Sequence, residues 1–499
     1  MVASRFPPVA SVGAIRVRKF VKYLRRFGWR SVVITGAVRR GTGTAQDARR
    51  ATDHESLLDL PEDLSVHRLG PVVDNWPGFL TRYCAKALAQ LTGHAGFDEP
   101  WWGGALKWRF QRMHDQLAFP DRGIWRLPAT VALAKSLHRR HRFDALFTSG
   151  MPFSDHVIGL VLQSVLRKPW VADFRDPWVE YVHWKQWQTN WGGRLARAAE
   201  YAVVSRASHV ISVNDHMTRR FVSRYRKEAP HKFVTIQNGY DPADYPKERD
   251  HGRRTRFRLL YAGSLYKTRS PRAVLEAFQR FLNQVPGSRM HVRFDFAGRP
   301  GPHVDELNRL SNDGTVKYLG MLSHAAALRS MASADVNVII LPNVPGSESD
   351  TTAKIYECLG SGRAVLAAVP LSGAAAEVLR RSEGVWLCDP DDVEGIARAM
   401  TALYQSWLSG NIQVRRPWQG LREYTREYQA GQLAACLDAT RSPRKKRVKI
   451  CGTGVPPVGS QAGRLCHNSV AAEGRAVPQT SEQMCATALE QCHPDRRTY

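Results

Sequence analysis

Short apolar runs alternate with helical patterns along most of the chain. The run at residues 336–341 is bounded by an aspartate and a proline, which predicts a buried parallel strand. Thr351 or Thr352 can cap the helix that follows, and two glycines end it. A second buried strand is predicted at 364–368. In a parallel sheet this order places the helix N-terminus at the edge where ligands bind.

The same pattern recurs in both halves of the chain. Further apolar runs predict strands at residues 31–35, 143–149, 170–174, 209–213, 233–237, 257–262, 293–297, 316–319 and 384–388. Helical spacing predicts helices that include residues 14–24, 323–332, 391–404 and 418–437. Only residues 1–4 remain for a first strand, so we expect the true start to lie upstream of Met1. The alternation favours an α/β fold, and 499 residues are enough for two domains.

The helix after residue 351 carries a lysine and a carboxylate on one face. Lys354 and Glu357 are three residues apart, whereas Ile355 and Leu359 turn another face to the sheet. At about 1.5 Å per residue, Glu357 lies roughly 7 Å from the helix start. A nucleotide phosphate held at the N-terminus would place its ribose there, where a carboxylate accepts from both sugar hydroxyls. The alternative is a surface ion pair on an amphipathic helix.

The sequence KIYECLGSGRAVLA, which begins at Lys354, resembles the nucleotide-sugar site of the family-four glycosyltransferases. These proteins have the GT-B fold. The resemblance implies an α/β protein with two Rossmann-like, doubly wound domains that face each other across a cleft, and it implies that Glu357 holds the nucleotide ribose. The family pattern usually has a second glutamate eight residues earlier. Here that position is Ser349, between Glu348 and Asp350.

The loop 263–271 lies between a predicted strand and a predicted helix. Gly263 allows the backbone to approach a ligand closely, and Lys267 and Arg269 are basic groups just ahead of the helix N-terminus. The loop resembles the phosphate-binding loop of the family, which implies that Lys267 and Lys354 contact the donor phosphates. The usual spacing of basic residues is not reproduced, so the choice between Lys267 and Arg269 stays open. A solvated basic loop is the alternative.

The first half of the chain carries candidate acceptor-side residues in its first loop. Gly13 lies in a loop of small residues, and Arg16 follows it in the predicted first helix. The arrangement resembles the acceptor-side domain of the same transferases, in which this loop faces the cleft and a basic residue points inward. The resemblance therefore implies that Gly13 and Arg16 lie on the acceptor side.

Two further motifs follow predicted strands of the first half. SGMPFSDH contains His156, and ADFRDPW contains Asp173 and Arg175. Charged residues at the carboxyl end of a strand lie where open sheets place their sites. Both motifs resemble the acceptor domain of a bacterial polysaccharide-assembly branch. This implies that His156 and Asp173 are catalytic together with Lys267, and that Arg175 lies on the acceptor side. The alternative is that Arg175 pairs with a neighbouring aspartate.

The resemblance also gives domain boundaries, because an Asn-Gly-x-Asp turn marks the crossing into the second domain. We predict an acceptor-side domain at 1–238, a nucleotide-sugar-binding domain at 239–405, a helix that crosses back at 406–440 and a basic tail at 441–499. The tail is rich in Gly, Pro, Ser and Ala and has few large apolar residues. Such a composition cannot bury enough surface to fold, so we predict that the tail is disordered.

The formal net charge is +27, from 72 Lys and Arg against 45 Asp and Glu, which suggests an anionic partner. Tryptophans interleaved with basic residues at 74–126 suit an anionic membrane surface, and a packed insertion is the alternative. The sequence has neither an apolar run long enough to span a membrane nor an apolar export signal, and its cysteines show no pairing pattern. We expect a cytoplasmic protein, or one peripheral on the inner membrane face, with no nucleic acid partner.

The resemblance implies a hexosyltransferase-type enzyme that moves a sugar from a nucleotide-sugar donor to a saccharide or lipid-linked acceptor. It further implies retention of configuration, a role in cell-surface polysaccharide synthesis, no metal, and no cofactor other than the nucleotide sugar as co-substrate. Basic groups and a helix dipole can stabilise a departing diphosphate. Two alternatives remain at this point: a GT-B nucleotide-sugar epimerase, and a non-catalytic protein that binds an anionic polymer or membrane.

Overall fold

A computed structural model describes residues 1–9, 11–37, 53–70, 118–180, 191–246, 255–345, 347–412 and 421–441. The chain divides into two units, Met1–Arg444 and Lys445–Tyr499. Residues 74–117 of the Trp-rich basic segment lie outside the described residues, and so do residues 442–499 of the tail. The predictions for these two parts therefore stay predictions.

Parallel strands form the centre of the first half. They are β1 Val32–Thr35, β2 Ser65–Arg68, β3 Leu146–Gly150, β4 Trp170–Phe174, β5 His209–Ser212 and β6 Phe233–Thr235. Strands β3 to β6 lie side by side in chain order, and β1 pairs with β2. Val2 links the two groups through parallel bridges to Ile34 and Thr148. The predicted first strand is thus reduced to one bridging residue.

Five described helices belong to this half. They are α1 Val12–Leu24, α2 Leu127–His141, α3 Ser154–Leu166, α4 Trp191–Arg206 and α5 Asp215–Arg224. Helix α1 begins after Ser11, whose hydroxyl accepts a hydrogen bond from the Ala14 N–H at 3.2 Å. Apolar side chains of α2 to α5 pack with the strands around Trp170 and Phe174, which are fully buried. This packing fixes the carboxyl ends of β3 and β4.

A six-stranded parallel sheet forms the second half. Its strands are β7 Phe257–Ala262, β8 Val292–Ala297, β9 Val316–Gly320, β10 Val336–Ile340, β11 Ala364–Ala368 and β12 Val385–Cys388. The predicted bounds agree with these to within one residue. Their spatial order is β12-β11-β10-β7-β8-β9, so the strand order reverses between β7 and β10. Doubly wound sheets bind ligands outside the carboxyl ends of the strands at this switch point.

Helices cover both faces of the six-stranded sheet. They are α6 Arg272–Gln284, α7 Ser288–His291, α8 Val304–Leu310, α9 His324–Ser333, α10 Ala353–Gly360, α11 Ala374–Arg380 and α12 Val393–Leu408. Helices α6, α8 and α12 share one apolar cluster, and α9, α10 and α11 share another. The two halves confirm the α/β prediction: each is a parallel sheet with helices packed on it.

The last described helix, α13 Arg426–Ala439, returns to the first half, where its apolar side chains share a buried cluster with α1. The helix predicted from residue 418 is wrong at its start. Residues 421–425 are not part of an α-helix, and α13 begins after Thr425, whose hydroxyl accepts from the Tyr428 N–H at 3.3 Å. Residues 406–408, which were predicted to open the crossing segment, belong to α12.

We predict that the second unit is dispensable for folding of the first. Removal of Lys445–Tyr499 should leave the melting temperature unchanged, because α13 and Arg441 remain in place. The Arg441 guanidinium lies 4.9 Å from the centroid of the Trp29 ring. A longer truncation that also removes residues 441–444 is the matched comparison, and it should cost about 0.5–1 kcal/mol for the lost cation–π contact. Loss of soluble protein after the shorter truncation would contradict the prediction.

Candidate active site

Arg16 and Asp173 form a buried ion pair at the carboxyl end of β4. The Asp173 carboxylate accepts from Arg16 Nη2 at 2.8 Å and from the hydroxyl of Ser149, its neighbour on β3, at 2.7 Å. Arg16 also donates from Nη2 to the carbonyl oxygen of Ile236 and from Nη1 to that of Gln237, each at 2.8 Å. Neither side chain of the pair is more than 1% exposed. The pair therefore ties α1 to β4 and to the segment after β6.

The electrostatics of this pair keep the carboxylate ionised. Burial disfavours the charged form, but the Arg16 guanidinium and the Ser149 hydroxyl hold the pKa of Asp173 below its ordinary value. The sequence placed Arg16 on the acceptor side and made Asp173 catalytic. In the structure the two residues bind each other and nearby protein groups. The contacts observed here therefore hold the fold together, and the acceptor-side and catalytic roles stay predictions.

Gly13 and Arg175 lie against each other at the same edge. A Cβ atom at Gly13 would overlap the Arg175 guanidinium, so any larger residue here would displace this side chain. Arg175 donates from Nε to the carbonyl of Gly150 at 2.9 Å and from Nη2 to the carbonyl of Met151. Its hydrogen bonds in the described part of the chain thus go to backbone carbonyls rather than to an aspartate, which differs from the alternative that the sequence left open.

His156 lies in the first turn of α3 and is fully buried. Its Nδ1 is 2.8 Å from the Thr148 hydroxyl, and its ring stacks on Phe174 with the centroids 4.3 Å apart. Burial lowers the pKa of His156 to about 3, so the imidazole is neutral. The structure therefore gathers the predicted residues of the first half, His156 included, at the ends of β3 and β4.

Lys354, at the start of α10, lies against the loop that follows β7. Its ammonium occupies the space above Gly263, where a Cβ atom would overlap it, and lies 5.7 Å from the centroid of the Tyr261 ring. Burial and the nearby charge of Arg269 lower the pKa of Lys354 to about 8. Neither cation forms an ion pair with a carboxylate among the described residues. Two cations without a carboxylate partner, close enough for the charge of one to lower the pKa of the other, can hold an anion at the helix N-terminus.

The structure separates Lys267 from this pair of cations. Lys267 is exposed and lines an open cavity of about 1050 Å³ outside the strand ends, which Lys354 and Glu357 do not line. Reciprocal backbone hydrogen bonds between Tyr266 and Arg269 form the turn that sets the two apart. The choice that the sequence left open thus falls geometrically on Arg269 as the neighbour of Lys354, and the catalytic role of Lys267 stays a prediction.

Glu357 makes its ion-pair contact with a histidine rather than with Lys354. Its Oε1 lies 2.9 Å from His324 Nε2, and its side chain is only 12% exposed. Burial raises the carboxyl pKa, but the His324 hydrogen bond and the positive charges of His324, Arg426 and Lys354 together outweigh it and hold the pKa of Glu357 below its ordinary value. The alternative of a surface pair with Lys354 is therefore not what the structure shows: the carboxylate is buried, ionised and oriented from α9.

His324 and Arg426 were missed by the sequence reasoning. Arg426, the first residue of α13, is 2% exposed and lines a small interdomain pocket together with Glu357, His324 and Lys19. Burial is the main cause that lowers the pKa of Arg426 to about 10. For His324 a signal existed, because Ser323 is a recognisable cap directly after a predicted strand. For Arg426 the sequence offered none, because its place depends on how α13 crosses back.

The loop before α10 is held by the first half of the chain. The Asn214 side-chain amide donates to the carbonyl of Ser349 at 2.8 Å and to the Thr351 hydroxyl at 3.1 Å. Ser349 is the position at which the family pattern usually has a second glutamate. Here its backbone serves as a contact between the two halves, ahead of α10.

One group of three carboxylates in the described part of the chain lies close enough to hold a cation, and it consists of Asp59, Asp241 and Asp244. The Lys19 ammonium is 2.6 Å from an oxygen of each. The lysine therefore takes the place that a metal ion would occupy, and the cluster joins α1 to the crossing between the two halves.

Comparison with sequence families gives two matches. The model described as Glycosyltransferase Family 4 matches residues 81–244, and the model described as Glycosyl transferases group 1 matches residues 256–406. Between them the two models cover more than half of the chain, one in each half. Comparison with curated proteins gives no match.

Solved structures with low sequence identity share this fold. At such identity the likeness shows the fold and nothing about activity. A glycosyltransferase from Rickettsia africae has a TM-score of 0.54 at 11% identity, over 88% of this chain and 98% of its own. Sucrose-phosphate synthase from Thermosynechococcus elongatus gives 0.54 at 16%, over 88% and 98%. A UDP-forming α,α-trehalose-phosphate synthase from Burkholderia xenovorans, in complex with glucose-6-phosphate, gives 0.54 at 14%, over 88% and 99%. With family models matched in both halves and this shared architecture, the chain belongs to the family-four type glycosyltransferases of the GT-B fold.

Proposed function

We propose that this glycosyltransferase takes its sugar from a nucleotide-sugar donor and passes it, with retention of configuration, to a saccharide or lipid-linked acceptor in cell-surface polysaccharide synthesis. The observation that carries the proposal is the pair of unpaired cations, Lys354 and Arg269, beside the buried carboxylate of Glu357. One neighbour of the same fold is described as UDP-forming, which supports a nucleoside diphosphate as the product here as well.

The donor phosphates bind at the N-terminus of α10. Lys354 and Arg269 contribute two positive charges there, and the positive end of the helix dipole favours an anion. The ribose then lies beside Glu357, about one turn further along the helix. His324 holds Oε1 of that carboxylate, so its orientation is set before the ribose hydroxyls arrive.

The same cations assist the chemical step. The bond between the anomeric carbon and the phosphate oxygen breaks, and its electron pair leaves with the diphosphate. The acceptor hydroxyl oxygen forms the new glycosidic bond, and its proton passes to the departing phosphate. Cations fixed where negative charge develops stabilise the transition state more than the ground state. We therefore propose that Lys354 and Arg269 perform the task for which other transferases use a metal ion.

The acceptor approaches from the edge of the first half. Gly13, Arg175 and His156 lie together at the carboxyl ends of β3 and β4, on the side from which α1 packs. The loop contacts of Asn214 bring this half against the loop that leads into α10. A saccharide bound at this edge would therefore meet a donor that is bound at α10.

Product analysis tests the proposal. The purified protein is incubated with a set of nucleotide sugars, with and without membrane and saccharide extracts, and the released nucleoside diphosphate is measured. Release that depends on the extract, together with a glycosylated product in the mass spectrum, is expected. Release or sugar epimerisation without any acceptor would support the epimerase alternative. Turnover of no donor would contradict the proposal.

The pH dependence of nucleotide binding should report Lys354. Its pKa is about 8 in the free protein, and a bound diphosphate favours the charged ammonium. Affinity for the product nucleoside diphosphate should therefore be constant between about pH 7 and 7.5, where the terminal phosphate is largely ionised, and should fall as the pH rises through about 8. Lys354→Arg keeps its charge and should bind without this change, whereas Lys354→Met should bind weakly at every pH. Titration calorimetry measures all three proteins, and a wild-type profile without the change would contradict the assignment.

We also propose that an anionic membrane surface is a partner. No helix among the described residues combines the length and the apolar character needed to cross a bilayer, and the net charge of +27 favours surface attraction. Sedimentation with vesicles should show binding that increases with anionic lipid and decreases with salt, by roughly 1 kcal/mol per cation near the surface. Equal sedimentation with neutral and anionic vesicles would contradict this prediction.

A further inference from the structure

One nitrogen of His156 has no hydrogen-bond partner although the residue is fully buried. Its Nε2 lies without a donor or acceptor in the described part of the structure. The nitrogen faces Gly150. A Cβ atom added to Gly150 would lie 2.6 Å from it, and because glycine has no side chain this space stays open. Gly150 is the last residue of β3, at the sheet edge that carries the acceptor-side residues.

The opposite nitrogen takes part in a chain of hydrogen bonds that assigns the tautomer. Trp170 Nε1, which can only donate, lies 2.9 Å from Thr148 Oγ1. The Thr148 hydroxyl keeps its own hydrogen to donate, and among the described residues the acceptor within hydrogen-bond distance of it is His156 Nδ1, at 2.8 Å. Because Nδ1 accepts, the hydrogen of the neutral imidazole resides on Nε2.

The surroundings keep the ring neutral and fixed. Phe174 stacks on the ring at 4.3 Å, and burial lowers the pKa of His156 to about 3. The two charged groups that act on it oppose each other, since Asp173 favours the protonated ring and Arg175 disfavours it. Both are themselves engaged, Asp173 with Arg16 and Arg175 with backbone carbonyls.

We propose that Thr148 and Trp170 are positioning residues that hold His156 as a neutral Nε2–H donor to a substrate oxygen, and that His156 transfers no proton during turnover. The inference rests on the proposed function for the identity of the substrate. It places a sugar hydroxyl or phosphate oxygen above Gly150. A side chain at residue 150 would fill the same space.

Two experiments test this proposal, and the first needs no substrate. Nitrogen-15 NMR of histidine-labelled protein, with His156→Gln used to assign the signal, reports the tautomer in the resting enzyme. The Nε2–H form is expected in the wild type and in Thr148→Ser, which keeps the hydroxyl. Thr148→Val removes the acceptor of Trp170 and the donor to Nδ1, so it should show a mixture. An Nδ1–H form or an imidazolium at about pH 6 in the wild type would overturn the proposal.

The second experiment separates hydrogen-bond donation from proton transfer. Glutamine offers an N–H donor but cannot exchange a proton at neutral pH, so His156→Gln should retain kcat to within about tenfold. His156→Ala should lose about 10²-fold, the upper range for a hydrogen bond to a charged group. Equal losses in both variants would overturn the proposal. Because the NMR result does not depend on turnover, failure of the transferase assay can be told apart from failure of the tautomer assignment.

Discussion

Glu357→Ala is expected to reduce kcat/KM for the nucleotide-sugar donor by about 10²-fold or more. The carboxylate is buried, ionised and oriented by His324, so it can accept hydrogen bonds from two ribose hydroxyls. Each charge-assisted bond contributes on the order of 1.5–3 kcal/mol, and tenfold in rate corresponds to about 1.4 kcal/mol. Glu357→Gln keeps one acceptor oxygen and should fall between the wild type and the alanine variant. Steady-state kinetics over a range of donor concentrations measures the three proteins.

The matched control is Glu377→Ala. Glu377 lies on α11 of the same half, is 45% exposed and pairs with Arg219 at 3.7 Å. An exposed pair of this kind contributes about 0–1 kcal/mol, so its removal should leave donor kinetics unchanged. If Glu357→Ala behaved like Glu377→Ala while remaining folded, the carboxylate would have no role in donor binding.

Gly263→Ala is expected to weaken binding of the product nucleoside diphosphate by about 10- to 100-fold without changing any polar group. A new Cβ atom would overlap the Lys354 ammonium, which is the flexible end of a side chain and can therefore be displaced while the fold persists. The displaced cation no longer lies beside Arg269. Gly70→Ala is the matched control, because no heavy atom lies within 4 Å of the added carbon.

A double-mutant cycle shows whether Gly263 acts through Lys354. If it does, Gly263→Ala should have no further effect on affinity in a Lys354→Ala background, because the group that it displaces is already absent. Additive losses would mean that Gly263 acts on the ligand directly, as its place in the loop first suggested. Calorimetric titration of the four proteins gives the coupling free energy.

Local sequence patterns predicted the part of the site that lies within one element. Lys354 and Glu357 were expected on one helix because they are three residues apart in a helical pattern, and the structure places both in α10. Contacts between distant segments were not predictable in this way. His324 is 33 residues from Glu357 and meets it only because α9 and α10 pack on the same face of the sheet.

Loop conformation and the pairing of charged side chains were the other features that the sequence did not predict. Nothing in the order of residues 266–269 shows which basic side chain turns toward Lys354, because a backbone turn decides it. Asp173 was selected for its position at a strand end and Arg16 for its place in the first helix, yet their pairing depends on how α1 packs across β4. Strand positions were better predicted, because buried parallel strands are continuous apolar runs that stand out in a single sequence.

The most direct test of the donor site compares ligands that differ only in the ribose. The nucleoside diphosphate released by the enzyme and its 2′,3′-dideoxy analogue are titrated into the wild type and into Glu357→Ala by calorimetry. The wild type should bind the ribonucleotide more tightly by about 10²-fold, and Glu357→Ala should bind both ligands equally, because carboxylate and hydroxyls are two ends of the same hydrogen bonds. A folded Glu357→Ala variant that still prefers the ribonucleotide as strongly as the wild type does would contradict the assignment of Glu357 to the ribose.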